Sequence, residues 1–128
     1  MDATTLGNEK YINLESFKRD GGGVKTPVWV APLDGKLVAF TLGESYKVKR
    51  IGRNPKVRVA PCDVRGNVRG GWVDGTCVIV DDAAHEARAY AALRAKYGLS
   101  MAVGDFFSKL SGRMKRRKVL EITLAGDA

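Results

Sequence analysis

Apolar and polar residues alternate through most of this chain, and alternation marks half-buried strands. From Lys10 to Lys18, Ile12, Leu14 and Ser16 fall on one side and Tyr11, Asn13, Glu15 and Phe17 on the other. Asp20-Gly21-Gly22-Gly23 makes a turn, and Val24 to Pro32 reads as a second strand. Pro27 interrupts it; proline has no N–H for the ladder, which argues for an edge or bulge position. Leu33-Asp34-Gly35-Lys36 is a hairpin turn into a third strand, Lys36 to Thr41. Lys56 to Cys62 alternates, with Lys56 and Arg58 outward and Val57 and Val59 inward. Asp63 to Gly66 turns, and Asn67 to Asp81 reads as one long strand with a bulge or kink at Gly70-Gly71. Lys118 to Leu124 is the last strand.

Helical signals are fewer. Asp82 caps a helix from Ala83 to Tyr97, and Gly98 suits the position just past its end. Ala84, Ala87, Tyr90, Ala91, Arg94 and Ala95 would give it a packed, alanine-rich face. A further helix is expected over about Val103 to Leu110, and a short one opens within Gly43 to Pro55. Asp2 to Glu9 and Gly126 to Ala128 read as frayed ends. The order β-β-β-α-β-β-α-α-β fits a mainly β, α+β protein built on a small antiparallel barrel.

The 128 residues suit one domain, 1–128, and 45% hydrophobic content suits a folded one. No apolar run reaches membrane-spanning length, and the first ten residues lack a signal pattern, so a cytoplasmic location is expected. Cys62, Cys77 and His85 are the only cysteines and histidine, too few for structural zinc. A Cys–His nucleophile would need His85 beside a cysteine. There is no GxSxG, HExxH or GxGxxG pattern. Chemistry is therefore expected from a bound cofactor rather than from side chains.

The net charge of +8 calls for an anionic partner: nucleic acid, a membrane surface or a polyanionic small molecule. The segment Gly43 to Pro55 narrows the choice. Ser45 is an N-cap, and Lys47, Lys49 and Arg50 follow it. A helix N-terminus already offers free N–H groups and positive potential, so a hydroxyl and several cations make a phosphate site. A solvated basic helix is the plainer reading of the same residues. The run Arg113 to Lys118 keeps a nucleic-acid-binding module open, although no RNP-like, zinc or helix-turn-helix pattern accompanies it.

Val24-Lys25-Thr26-Pro27-Val28-Trp29, Val38-Ala39-Phe40-Thr41, Ser45-Tyr46-Lys47 and Arg53-Asn54-Pro55 resemble the pyridoxamine-phosphate-oxidase-like split β-barrel superfamily. With Asp20-Gly21, Val48-Lys49-Arg50 and Val59 to Gly66, they are most similar to its actinobacterial deazaflavin branch, the coenzyme F420-dependent oxidoreductases. The resemblance spans about Glu9 to Ile122. It implies a six-stranded split barrel and a homodimer with two cofactor sites at the subunit interface. Lys25, Thr26, Pro27 and Val28 would line the ring or ribityl chain, with Trp29 continuing that strand. Phe40 and Thr41 would lie under the chain to the phosphate, and Ser45 and Lys47 would hold the phosphate itself. Tyr46 stands where phosphate-oxidase relatives carry arginine, which makes FMN the alternative rather than the first choice. Lys49, Arg50, Arg53, Lys56 and Arg58 would extend a basic track suited to a polyglutamate tail. Arg65 and Arg69 would add to the cofactor site. Gly70 would open room beside the ring, and Trp72 would pack in the core or at the dimer contact rather than serve as a substrate platform. The implied reaction is hydride transfer from reduced deazaflavin to a small electron-poor acceptor. A non-catalytic cofactor carrier would share the same pocket.

Overall fold

The computed structural model describes residues 3–42, 46–98 and 117–125. Its elements run α1 (Ala3–Gly7), β1 (Tyr11–Phe17), β2 (Gly23–Val28), β3 (Ala31–Leu33), β4 (Lys36–Leu42), α2 (Tyr46–Arg53), β5 (Lys56–Cys62), β6 (Val73–Val80), α3 (Ala83–Tyr97) and β7 (Arg117–Leu124). The seven strands form one sheet in the order β2-β1-β5-β6-β7-β4-β3, every pair antiparallel.

The two edge strands of this order, β2 and β3, are separated in the chain only by Trp29 and Val30. The three steps from Val28 to Ala31 span at most about 11 Å, so the sheet must curl until its edges approach. No ladder joins β2 to β3, and the barrel stays open along that seam. Against the expected six strands, the described residues form seven. Val24 to Pro32 divides at Trp29-Val30 because its halves pair with opposite edges of the sheet. Pro27 lies opposite Asn13 in edge strand β2, where a missing N–H costs least.

Alternation sends Ile12, Leu14, Val57, Val59, Cys77, Leu120, Ile122 and Leu124 into the barrel, and Ile51 of α2 closes one end. A second cluster lies outside the barrel, where Ala89 and Leu93 of α3 cover Ala31, Val38, Val80 and Val119. Asp82 caps α3 by accepting from the Ala84 N–H at 3.2 Å, and the Gly98 N–H closes it on the Arg94 carbonyl at 2.8 Å. The buried face of α3 differs from the one expected. Ala84, Ala87, Ala91, Arg94 and Ala95 are exposed, while Ala89, Leu93 and, partly, Tyr90 and Tyr97 pack on the sheet. Alanine is too small to mark a face in a helix that carries it on every side.

Two further segments depart from expectation. Residues 3–7, read as frayed, form a helix that buries Ala3 and Leu6. The long strand from Asn67 to Asp81 is only β6, and Gly70-Gly71 lies in a loop rather than a bulge. Asp63 sets that loop: its carboxylate accepts from the backbone N–H groups of Arg65 and Asn67 at 2.9 Å each, and Gly66 takes φ +89°. The loop folds over the outer face of β1, where Asn13 Nδ2 donates to the Gly66 carbonyl at 2.8 Å. The expected helix Val103 to Leu110, most of the basic run Arg113 to Lys118, and Gly43 to Ser45 lie outside the described residues.

The end of α3 fastens the seam. The Lys96 ammonium donates to the carbonyls of Gly7 at 2.7 Å, Val30 at 2.5 Å, and Glu9. Burial pushes this amine down to about 8, opposed by the Glu9 carboxylate. The Tyr97 hydroxyl accepts from the Val30 N–H at 2.9 Å and donates to the Lys10 carbonyl at 2.7 Å. Its ring stacks on Trp29 at 4.4 Å.

Gly75 permits a close approach in the β6–β7 ladder: a Cβ there would sit 2.8 Å from the Thr123 carbonyl oxygen. Backbone cannot step aside without parting the two strands. Gly75→Ala should cost about 1–3 kcal/mol, read as a lower urea midpoint at unchanged slope. A midpoint equal to that of the wild type would show that the ladder yields there.

Candidate cofactor site

Helix α2 lies across the end of the barrel, anchored by Ile51. That anchor sets the direction of its first turns. Lys47 Nζ donates to Thr41 Oγ1, at the end of β4, at 3.0 Å. Arg50 Nε donates to Ser16 Oγ, at the end of β1, at 2.8 Å. Ser16 is only 1% exposed. No carboxylate pairs with Lys47 or Arg50 among the described residues. Burial, and then the neighbouring Arg50 charge, hold the Lys47 amine below the usual lysine range. Two cations thus share a partly buried corner with only hydroxyls as side-chain partners among the described residues. An anion placed there would favour the charged Lys47 amine and so oppose the shift that burial and Arg50 impose.

Of the residues expected at the phosphate, Lys47 and Arg50 come together, joined by Thr41, which was expected under the chain leading to it; Ser45 lies outside the described residues. Ser16 joins them unannounced. Its signal was its position on the apolar side of β1, in line with Ile12 and Leu14, where an unpaired hydroxyl is costly. Lys49 and Arg53 are exposed, and Tyr46 is 76% exposed, with Lys49 Nζ 5.4 Å from its ring.

The four ring-lining candidates are split by the pleat. Thr26 and Val28 stand opposite Leu14 and Ile12 and face inward; Lys25 and Pro27 stand opposite Glu15 and Asn13 and face outward. Beneath Pro27, Asn13 is 3% exposed and its Oδ1 accepts no hydrogen bond among the described residues. Trp29 leaves β2 and packs on Tyr97 and Phe40. Phe40 is on the face of β4 opposite Thr41, against Tyr90, in the cluster under α3.

The remaining cations do not form one track. Arg58 is held by Glu15 at 3.2 Å and Asp74 at 3.7 Å, and lies 5.0 Å from the Trp72 ring. Lys25 approaches the same ring at 5.2 Å, so half-buried Trp72 is pinned between two cations. Arg65 and Arg69 are exposed on the loop after β5. That strand is about 20 Å long, and Arg50 reaches β1 near its other end.

Thiol chemistry has no support here. Burial pushes Cys77 up to about 12 and also raises Cys62. His85 pairs with Glu121 at 2.5 Å rather than with a cysteine. Among the described residues no three His, Cys, Asp or Glu side chains gather as a metal site, and no helix is long and apolar enough to cross a membrane.

A family model described as pyridoxamine 5'-phosphate oxidase matches residues 3–126. The chain belongs to that family. Its fold is similar to that of a conserved hypothetical protein from Mycobacterium tuberculosis, at 20% identity and TM-score 0.72, over 96% of this chain and 78% of that one. It is similar to the heme storage protein HutZ from Vibrio cholerae, at 11% identity and TM-score 0.70, over 93% and 84% of the two chains. A FAD-binding protein from Mesorhizobium loti aligns at 21% identity and TM-score 0.62, over 94% and 82%. At such identities the likeness is one of fold. No curated protein matches the chain.

Proposed function

We propose that this protein is a homodimeric oxidoreductase that binds coenzyme F420 and transfers a hydride between the reduced deazaflavin and a small electron-poor acceptor. The observation that carries the reading is the half-buried Lys47 ammonium, seated on a threonine hydroxyl beside Arg50 with no acid partner among the described residues. Such a corner suits the phosphodiester of the cofactor. Exposed Lys49 and Arg53 on the same helix suit the acidic tail beyond it.

When bound, the deazaflavin supplies the hydride from its ring carbon. The chain's part is to bind and orient it. Strand β2 is an edge, so its backbone groups on the side away from β1 pair with no other strand among the described residues and can meet a planar ring. Asn13, tied through its Nδ2 to the Gly66 carbonyl, and the pinned Trp72 brace that edge from below. Lys47 and Arg50 hold the anionic chain, which fixes how far the ring reaches along β2. The distance of Arg65 and Arg69 from this corner suits a cofactor lying between two subunits.

A second reading keeps the site and changes the cofactor to FMN. The fold's likeness to a FAD-binding protein favours it, as does a single Lys47–Arg50 corner sized for one phosphate. Turnover separates an oxidoreductase from a carrier. Reduced F420 should be reoxidised faster when protein is added together with a quinone or nitro acceptor. Tight binding without acceleration for any acceptor would leave a carrier.

A further inference from the structure

A cavity of about 500 Å³ opens away from this corner, lined by Phe17, Lys56, Arg58, Asp74, Thr76 and Leu124 among others. It contains none of Ser16, Thr41, Lys47 or Arg50. Strand register explains its chemistry. Lys56 stands opposite Thr76, and Thr76 opposite Thr123, so an ammonium and two hydroxyls form one row across β5, β6 and β7. Phe17, at the end of β1, extends that row with an aromatic ring. In the next row Arg58 stands opposite Asp74. Those two are already matched: Arg58 is held by Asp74 at 3.7 Å and by the buried Glu15 at 3.2 Å. Lys56 has no carboxylate partner among the described residues, and neither threonine hydroxyl has a partner there. The rest of the lining, with Val57, Gly75, Leu124 and Ala125, is mostly apolar.

We infer that this cavity binds a small amphipathic organic anion. Its planar apolar body lies along Phe17 and Ala125, and its carboxylate or sulfonate meets the Lys56 ammonium and the hydroxyls of Thr76 and Thr123. Asp74 sets the direction, because it repels an anionic end placed on its side of the cavity. The volume falls in the range of small-molecule sites and accommodates a ligand of two or three fused or linked rings.

The test is a fluorescence titration of the full chain with 1-anilinonaphthalene-8-sulfonate and, separately, its neutral analogue N-phenyl-1-naphthylamine. The sulfonate should bind saturably at one site per chain, and the neutral analogue at least tenfold more weakly. Lys56→Gln should weaken the sulfonate about tenfold, Lys56→Arg should largely restore it, and Thr76→Trp should block it. Lys47→Met should leave it unchanged. Thermal melts of each variant show whether it is folded. Equal affinity for the two probes, or an unaffected Lys56→Gln, would overturn the inference. So would loss of binding in Lys47→Met with retention in Lys56→Gln, which would move the probe to the cofactor corner. Loss of probe binding in step with dimer formation in sedimentation velocity would also overturn it, since a second copy would then cover the cavity.

Discussion

Lys47→Met should lower the affinity for a phosphate-bearing cofactor about 10- to 100-fold, the loss of one charge-assisted hydrogen bond of about 1.5–3 kcal/mol. The same substitution should leave the stability of the unliganded protein unchanged or slightly raised. Burial and Arg50 both work against the Lys47 cation, and no described acid compensates it. The folded state therefore releases the Lys47 proton at a lower pH than the unfolded chain does. Between that depressed value and the ordinary 10.5, the unfolded state binds more protons, and stability rises with pH. Bound phosphate favours the protonated amine, so cofactor affinity should run the other way, falling with pH from below the usual lysine range. Calorimetric titration with parallel thermal melts reads both quantities. A variant that is destabilised yet binds normally would make Lys47 a structural residue and remove the phosphate assignment.

Lys96→Met should be strongly damaging although Lys96 belongs to neither buried apolar cluster. Three carbonyls, of Gly7, Glu9 and Val30, converge on one ammonium. The first belongs to α1, and the last to the two-residue link between the sheet's edge strands. Methionine fills similar space but strands those acceptors, at about 2–3 kcal/mol in total. For a chain of this length that is a fall of roughly 10 °C in the unfolding midpoint. A fall of less than about 3 °C would mean that Tyr97 alone holds the seam, through its bonds to Val30 and Lys10. The variant Tyr97→Phe would then carry the larger loss.

Local pattern made much of this fold legible. β5 and α3 occupy their expected spans because both carry strong local signals: strict alternation in Lys56–Cys62, and Asp82 with Gly98 around α3. Long-range constraints were not legible. Nothing local in Val24 to Pro32 says that its two halves belong to opposite edges of the sheet; that follows from closing the barrel. The short helix α1 has little helical signal of its own and is held by Lys96, which lies 89 positions from Gly7. Asp63 reads locally as part of a turn, but the loop it organises also takes in the first part of the expected long strand. At the site, the pairing of Lys47 with Thr41 was within reach because the two are six residues apart. Ser16 lies 34 residues from Arg50, and no spacing rule joins them. Lys56 and Arg58 looked like a continuation of the α2 charges, yet alternation turns them toward a different cavity.

The measurement to make first is a titration of the cofactor-free protein with oxidised coenzyme F420 and, separately, with FMN, following ligand fluorescence. Micromolar or tighter binding of F420, with FMN weaker and both reduced by Lys47→Met, is the predicted result. Binding of FMN alone would move the protein to the flavin reading. Binding of neither would contradict the assignment of Lys47 and Arg50 as a phosphate seat.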